Sequence, residues 1–260
     1  MNLPSSAPCL LTQRSIIVTG AAQGIGRAIS ELALQLGARV TAVDMNADAL
    51  ADFQRAAGDA LLTMAGDVSD PDFAPSVVER AAAHFGGVDG LVNNAGITRT
   101  AMIEKMSVDA WNQVLNVHLT GSFHFLQAAG RHMLAVARET GRPGGSVVNI
   151  TSDAGRRGTI GQINYAAAKS GVLGMTMSAA REWGKYGIRV NTIGFGVVET
   201  PMTETIRGDK FRDTYLSQIP LGRFGQPAEV AWPVCFLLSD AASYMTGQHL
   251  YANGGMTIGS

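Results

Sequence analysis

Ser15-Ile16-Ile17-Val18-Thr19-Gly20-Ala21-Ala22-Gln23-Gly24-Ile25-Gly26 is a short β-branched apolar run that meets three glycines, and an amphipathic stretch, Arg27 to Leu36, follows at once. The run reads as a buried strand and the stretch as a helix. Glycines between them allow a tight turn, close approach of the main chain to a pyrophosphate, and close packing of helix on strand. The free N–H groups at the helix start attract the anion. In a chain with 31 glycines the loop by itself is also compatible with an ordinary turn.

Outward from this loop the same alternation repeats. Candidate strands fall at Ser15 to Thr19, Arg39 to Asp44, Ala60 to Ala65, Gly90 to Asn93, Ser146 to Ile150, Arg189 to Ile193 and Gln248 to Ala252, with helical periodicity between them. The two longest helical stretches run from about Ser107 to Ala137 and from about Gln162 to Tyr186. This pattern predicts an α/β fold: a single doubly wound, Rossmann-type domain with a seven-stranded parallel sheet flanked by helices. Residues 1–13 read as an N-terminal extension and 14–260 as the domain. Two segments read as irregular, Glu139 to Gly145 and Gly194 to Pro220, and the second lies after the sixth strand, where a substrate lid is expected.

Composition narrows the function. Hydrophobic residues make up 46% of the chain, enough to fill a sizeable core, and 20 basic against 21 acidic side chains leave a net charge of −1. No basic patch invites a phosphate backbone, so nucleic acid is not an expected partner. Two cysteines, Cys9 and Cys235, form no framework of bridges and point to a reducing compartment, by default the cytoplasm. The first 13 residues lack a basic n-region and an apolar core, and no run reaches 18 apolar residues, so neither export nor a membrane anchor is expected. No metal is expected either.

Asp44 ends the second strand at close to the roughly 20-residue spacing of a carboxylate that binds an adenosine ribose. A 2′-phosphate there would meet negative charge, and neither Gln23 nor Met45 is an arginine, so NAD is favoured over NADP. Two alternatives stay open: Asp44 caps the helix beginning near Asn46, or Arg27 or Arg39 reaches the phosphate. Tyr165 and Lys169, four apart in a helical stretch, share one face, and the chain has only four lysines to place there by chance. An adjacent ammonium and a cationic nicotinamide would draw the phenol's pKa down toward the working range, making Tyr165 a proton donor or acceptor at a carbonyl oxygen. Ser152, just past the fifth strand, could bond the same oxygen or simply serve as a cap or turn residue.

In this order, the glycine loop, Asp67-Val68, Asn93-Asn94-Ala95-Gly96, Ser152, Tyr165-Ala166-Ala167-Ala168-Lys169 and Val190-Asn191 resemble the short-chain dehydrogenase/reductase family from Thr19 to Gly255. Within it, Asn94-Ala95-Gly96-Ile97-Thr98-Arg99, Pro220 to Gly225 and Asn253 to Met256 are most similar to the 3-oxoacyl-[acyl-carrier-protein] reductase type. The resemblance implies a hydride transfer between a nicotinamide and a ketone or secondary alcohol. Gly20, Gln23 and Ile25 would then line the pyrophosphate, Asp67 and Val68 the adenine, Asn94 with Gly96 the ribose region, and Val198 with Thr200 the nicotinamide side. Tyr165 would be the acid/base and Lys169 would hold the nicotinamide ribose, while Ser152 would orient the substrate. A homotetramer with the two long helices paired across one interface is also implied.

Three positions depart from the family pattern. Where a catalytic asparagine is expected, seven residues after Trp111, stands His118, whose carbonyl and ring are expected to keep a water relay working, with an extra titration near neutrality; the alternative is that it fills space beside Leu119 and Phe123. The usual Pro-Gly is Phe195-Gly196, which reshapes the substrate pocket or simply packs. Asp44 favours NAD where the biosynthetic reductase uses NADPH. Arg99, Arg156 and Arg157 are expected near the substrate opening, where they meet a carrier phosphate or coenzyme A tail or remain solvated. The expected substrate is a 3-oxoacyl or 3-hydroxyacyl thioester on coenzyme A or acyl carrier protein. The alternatives are an NAD-dependent secondary-alcohol or sugar-type dehydrogenase and a non-catalytic dinucleotide sensor.

Overall fold

Strands β1 (Ser15–Thr19), β2 (Arg39–Asp44), β3 (Leu61–Ala65), β4 (Gly90–Asn93), β5 (Gly145–Ser152), β6 (Ile188–Phe195) and β7 (His249–Ala252) form one wholly parallel sheet in the order β3-β2-β1-β4-β5-β6-β7. They belong to a computed structural model describing residues 7–259. Helices α1 (Gly24–Gln35), α2 (Ala47–Ala57), α3 (Phe73–Phe85), α4 (Val108–Leu115), α5 (Gly121–Thr140), α6 (Ala154–Arg157), α7 (Ile163–Trp183), α8 (Glu204–Arg207), α9 (Asp209–Leu216) and α10 (Pro227–Leu238) connect them.

Parallel strands covered on both faces read as continuous apolar runs, and the side chains of β1 show why. Ile16 and Val18 enter a core layer with Ile29 and Ala33 of α1, Phe53 of α2 and Val234 of α10. Ile17 enters the opposite layer with Val77 of α3, Phe125 of α5 and Ala180 of α7. The N-terminal segment also joins the first layer: Leu11 is fully buried, its N–H donates to Leu36 O at 2.9 Å, and Ala241 N donates to Pro8 O. Of the expected extension, residues 1–6 lie outside the described residues. No helix among the described residues is long and apolar enough to cross a membrane.

Four boundaries near the site differ from the sequence reading, each for a tertiary reason. β5 and β6 stay paired as far as Ser152 opposite Phe195, so Ser152 is the last residue of its strand instead of lying past it. The stretch expected as one helix from Ser107 is two, α4 and α5, joined by a π-turn over Asn116–Thr120 that contains His118. π-turns leave main-chain groups offset from the regular ladder and recur at functional sites. α7 stops at Trp183 and passes into a 3₁₀ turn, Gly184–Tyr186. The segment after β6, expected as irregular, holds α8 and α9.

The chain runs outward from β1 through β3, then crosses back to β4 on the other side of β1. At that reversal the loops leaving β1 and β4 diverge and open a crevice at the carboxyl ends of the strands.

Candidate active site

A cleft of about 380 Å³ occupies this crevice, and every residue expected to hold the cofactor or act in catalysis borders it: Gly20, Gln23, Ile25, Asp44, Asp67, Val68, Asn94, Gly96, His118, Ser152, Tyr165, Lys169, Val198 and Thr200. Its floor is the glycine loop. Gly20 sits at φ +66, and a Cβ there would lie 2.9 Å from Ala95 Cα, so the loop needs glycine both for its backbone and for its contact with the segment leaving β4. Thr19 Oγ1 accepts from the N–H groups of Asn94 and Ala95, both at 3.0 Å. Asn94 Nδ2 donates back to Thr19 O at 2.9 Å and Gly20 O at 3.1 Å. The Asn94 amide therefore fixes the loop itself, and its part in a ribose site is indirect.

Asp44 shares this bracing. One carboxylate oxygen accepts from Ala22 N in the glycine loop and the other from Asn46 N, each at 3.0 Å. Asn46, and not Asp44, caps α2, its side chain accepting from Ala49 N. Asp67, at the same end of the cleft, accepts from Ser69 N and Oγ. Neither Arg27 nor Arg39 borders the cleft: Arg27 pairs with Glu31 and stacks on Phe53, while Arg39 bonds Phe85 O and Gln13. This end holds two carboxylates and no guanidinium.

At the other end α7 brings Tyr165 and Lys169 onto one face beside Ser152. Lys169 is buried, donates from Nζ to Ile150 O at 2.7 Å, and stands 5.6 Å from the centre of the Tyr165 ring. Beneath it lies a ladder of buried amides and hydroxyls: Asn93 donates to Asn149, Asn149 to Thr176, and Thr151 to Lys169 O. Burial lowers the ammonium to about 7, far below the usual lysine value. The same burial raises the Tyr165 phenol, against a smaller lowering by the Ser152 hydroxyl. The sequence leads to the expectation that the ammonium and a cationic nicotinamide together draw the phenol down; in the chain by itself desolvation outweighs the Ser152 bond, so Tyr165 is a neutral O–H, while Lys169 titrates near neutrality. A neutral phenol and a serine hydroxyl side by side at the end of a cleft can polarise and protonate a carbonyl oxygen.

His118 is buried, and its ring meets the Tyr165 ring edge-on at 5.0 Å between centres. Nε2 lies 2.7 Å from Ile97 O and 2.9 Å from Ile97 N, and the space that a Cβ on Gly96 would take is filled by the imidazole. Burial, with the Lys169 charge adding to it, holds the imidazole down at about 3. That runs against the expected titration near neutrality, because charging a ring enclosed by protein groups costs it its hydration. Its carbonyl accepts from Ser122 Oγ at 2.7 Å. Phe123, expected as a packing neighbour, is instead half-exposed.

Phe195 is buried and borders the cleft at the end of β6. Arg99, Arg156 and Arg157 do not border it; Arg99 bonds Gln113, and Arg156 lies near Asp153, His249 and Tyr251 at the β7 edge. Sequence reasoning did not single out Ile97, Val117, Pro201 and Thr203, which also line the walls. It also missed Asn164, whose buried amide donates to Arg99 O and Ala110 O and accepts from Tyr165 N, tying the start of α7 to the loop after β4 and to α4. A lone asparagine at a helix start gave no signal of that role.

Residues 20–257 match a family model described as enoyl-(acyl carrier protein) reductase. The chain is 43% identical over 245 residues to the 3-oxoacyl-[acyl-carrier-protein] reductase of Thermotoga maritima, covering 93% of this chain and 97% of the relative. It is 42% identical over 243 residues to the enzyme of the same name from Escherichia coli (strain K12), covering 92% and 96%. A solved short-chain dehydrogenase/reductase from Brucella melitensis superposes with a TM-score of 0.88 at 33% identity, covering 95% of this chain and 98% of that one. The chain belongs to the short-chain dehydrogenase/reductase family. It is therefore an oxidoreductase of a family that works with a nicotinamide cofactor. The cleft accords with that group: its floor is a glycine cradle that a Cβ would fill, opening onto the start of α1.

Proposed function

We propose that this protein reduces the ketone of a 3-oxoacyl thioester, carried on acyl carrier protein or coenzyme A, to the secondary alcohol, or catalyses the reverse, with NAD(H) as its cofactor. The observation that carries it is the gathering of Ser152, Tyr165 and Lys169 on the wall of the same cleft whose floor is the glycine loop. The substrate class rests on the relatives named 3-oxoacyl-[acyl-carrier-protein] reductase, which match over nearly the full chain.

When bound, the nicotinamide supplies the hydride that reduces the carbonyl carbon. Ser152 Oγ holds the carbonyl oxygen, and the Tyr165 O–H gives it a proton as the C=O bond becomes CH–OH. Lys169, lowered to about 7, would hold the nicotinamide ribose and supply a proton to replace the one that Tyr165 gives up. His118, neutral throughout, keeps Ile97 and the Tyr165 ring in place. At the far end Asp44 would accept from the ribose hydroxyls, and the missing guanidinium disfavours a 2′-phosphate. Gly20, Gln23 and Ile25 would line the pyrophosphate, Asp67 and Val68 the adenine, and Val198 with Thr200 the nicotinamide side. A homotetramer formed through α5 and α7 is supported by the exposed Phe123 and Met177 on those helices. Two free cysteines accord with the cytoplasm.

Initial rates with NADH and NADPH against a short 3-oxoacyl thioester test both parts. Faster NADH turnover is expected. Faster NADPH turnover would refute the role of Asp44, and silence with both, alongside activity on another ketone or sugar alcohol, would refute the thioester.

A further inference from the structure

The wall facing the glycine loop is tied by one guanidinium. Thr203 Oγ1 donates to Val198 O at 2.5 Å and accepts from Thr200 N at 3.2 Å. Arg207, at the end of α8, closes the knot: Nε donates to Thr203 Oγ1 and Nη2 to Thr200 O, both at 3.1 Å. Val198, Thr200 and Thr203 all border the cleft, and Thr200 leans on the glycine loop so closely that a Cβ on Gly24 would lie 3.3 Å from its methyl. Arg207 makes no ion pair among the described residues. The charged groups that border the cleft are Asp44, Asp67 and Lys169. A pyrophosphate adds two negative charges to that set.

We propose that Arg207 is a positioning residue for the dinucleotide, locking the 198–203 loop against the glycine loop and setting an unpaired positive charge behind the pyrophosphate. This rests on the dinucleotide reading above. Holding the loop in place before binding removes an ordering cost, and a fixed cation one layer behind the wall attracts the phosphates without contacting them. Neither effect reaches the adenosine end at Asp44.

Binding of NADH, ADP-ribose and adenosine to the full chain and to Arg207→Met and Arg207→Lys, by calorimetry at two salt concentrations, tests it. Arg207→Met is expected to weaken ADP-ribose and NADH on the order of tenfold, to leave adenosine unchanged, and to flatten the salt dependence, while Arg207→Lys restores part of the affinity. Unchanged ADP-ribose affinity in Arg207→Met overturns the inference. So does equal weakening of ADP-ribose and adenosine, which would mean a general loss of structure. A wild-type chain that binds neither NADH nor ADP-ribose overturns the dinucleotide reading and this inference with it.

Discussion

Lys169→Met should remove activity and yet stabilise the protein without cofactor. Methionine keeps the length and apolar stem of lysine but brings no charge into a buried site. With the ammonium lowered from 10.5 to about 7, holding it in the fold costs at most roughly 4 kcal/mol at pH 7, at about 1.4 kcal/mol per unit. Losing the Nζ to Ile150 O hydrogen bond takes back about 1–2 kcal/mol, leaving a net gain on the order of 2 kcal/mol. For a chain of this size that raises Tm by roughly 4–8 °C. Because the folded value is depressed, the unfolded chain binds the extra proton between pH 7 and 10.5. The lysine penalty is therefore complete below about pH 7 and fades as pH rises toward 10.5. Scanning calorimetry of both proteins from pH 6.5 to 9.5 should show the methionine advantage shrinking with pH, while NADH turnover of the variant is lost at every pH. A variant less stable at pH 6.5, or an advantage independent of pH, would refute the assignment of a strained buried ammonium.

Tyr165→Phe removes the proton donor but little volume, so turnover should fall by about 10²–10⁴ while NADH affinity, read by fluorescence titration, stays within about twofold; retained turnover would eliminate the phenol as acid. Asp44→Ser should move the NADH to NADPH ratio of kcat/KM by about tenfold toward NADPH by removing a charge from the ribose end, and an unmoved ratio would place the cofactor's discrimination elsewhere. Gly96→Ala puts a methyl where the His118 ring stands and should destabilise by about 1–3 kcal/mol in urea unfolding. A neutral result there would show that the imidazole is free to move and is not the brace described.

Much of this molecule is legible in its sequence. Parallel strands buried on both faces need long runs of branched apolar residues, so all seven could be located, with errors of a residue or two where pairing carried β5 and β6 further. Asp44 and the Tyr165–Lys169 pair were legible because strand ends and helical period fix where such side chains point. The Asn94 amide was expected near a ribose, but its donors are spent on Thr19 and Gly20, and nothing local in the sequence distinguishes the two.

Sequence alone thus determined the βα order, the glycine cradle, the shared face of Tyr165 and Lys169, and the carboxylate at the end of β2, because each depends on spacing within one element. Tertiary structure decided the rest. His118 stays neutral because Gly96, Ile97 and Tyr165, brought from elsewhere in the chain, enclose its ring. Lys169 is depressed and Tyr165 raised because segments brought from elsewhere in the chain bury both groups. Arg207 holds the cleft wall because α8 folds back on Thr200 and Thr203. Charge state and bracing depend on which segments exclude water from a group, and only the folded chain sets that.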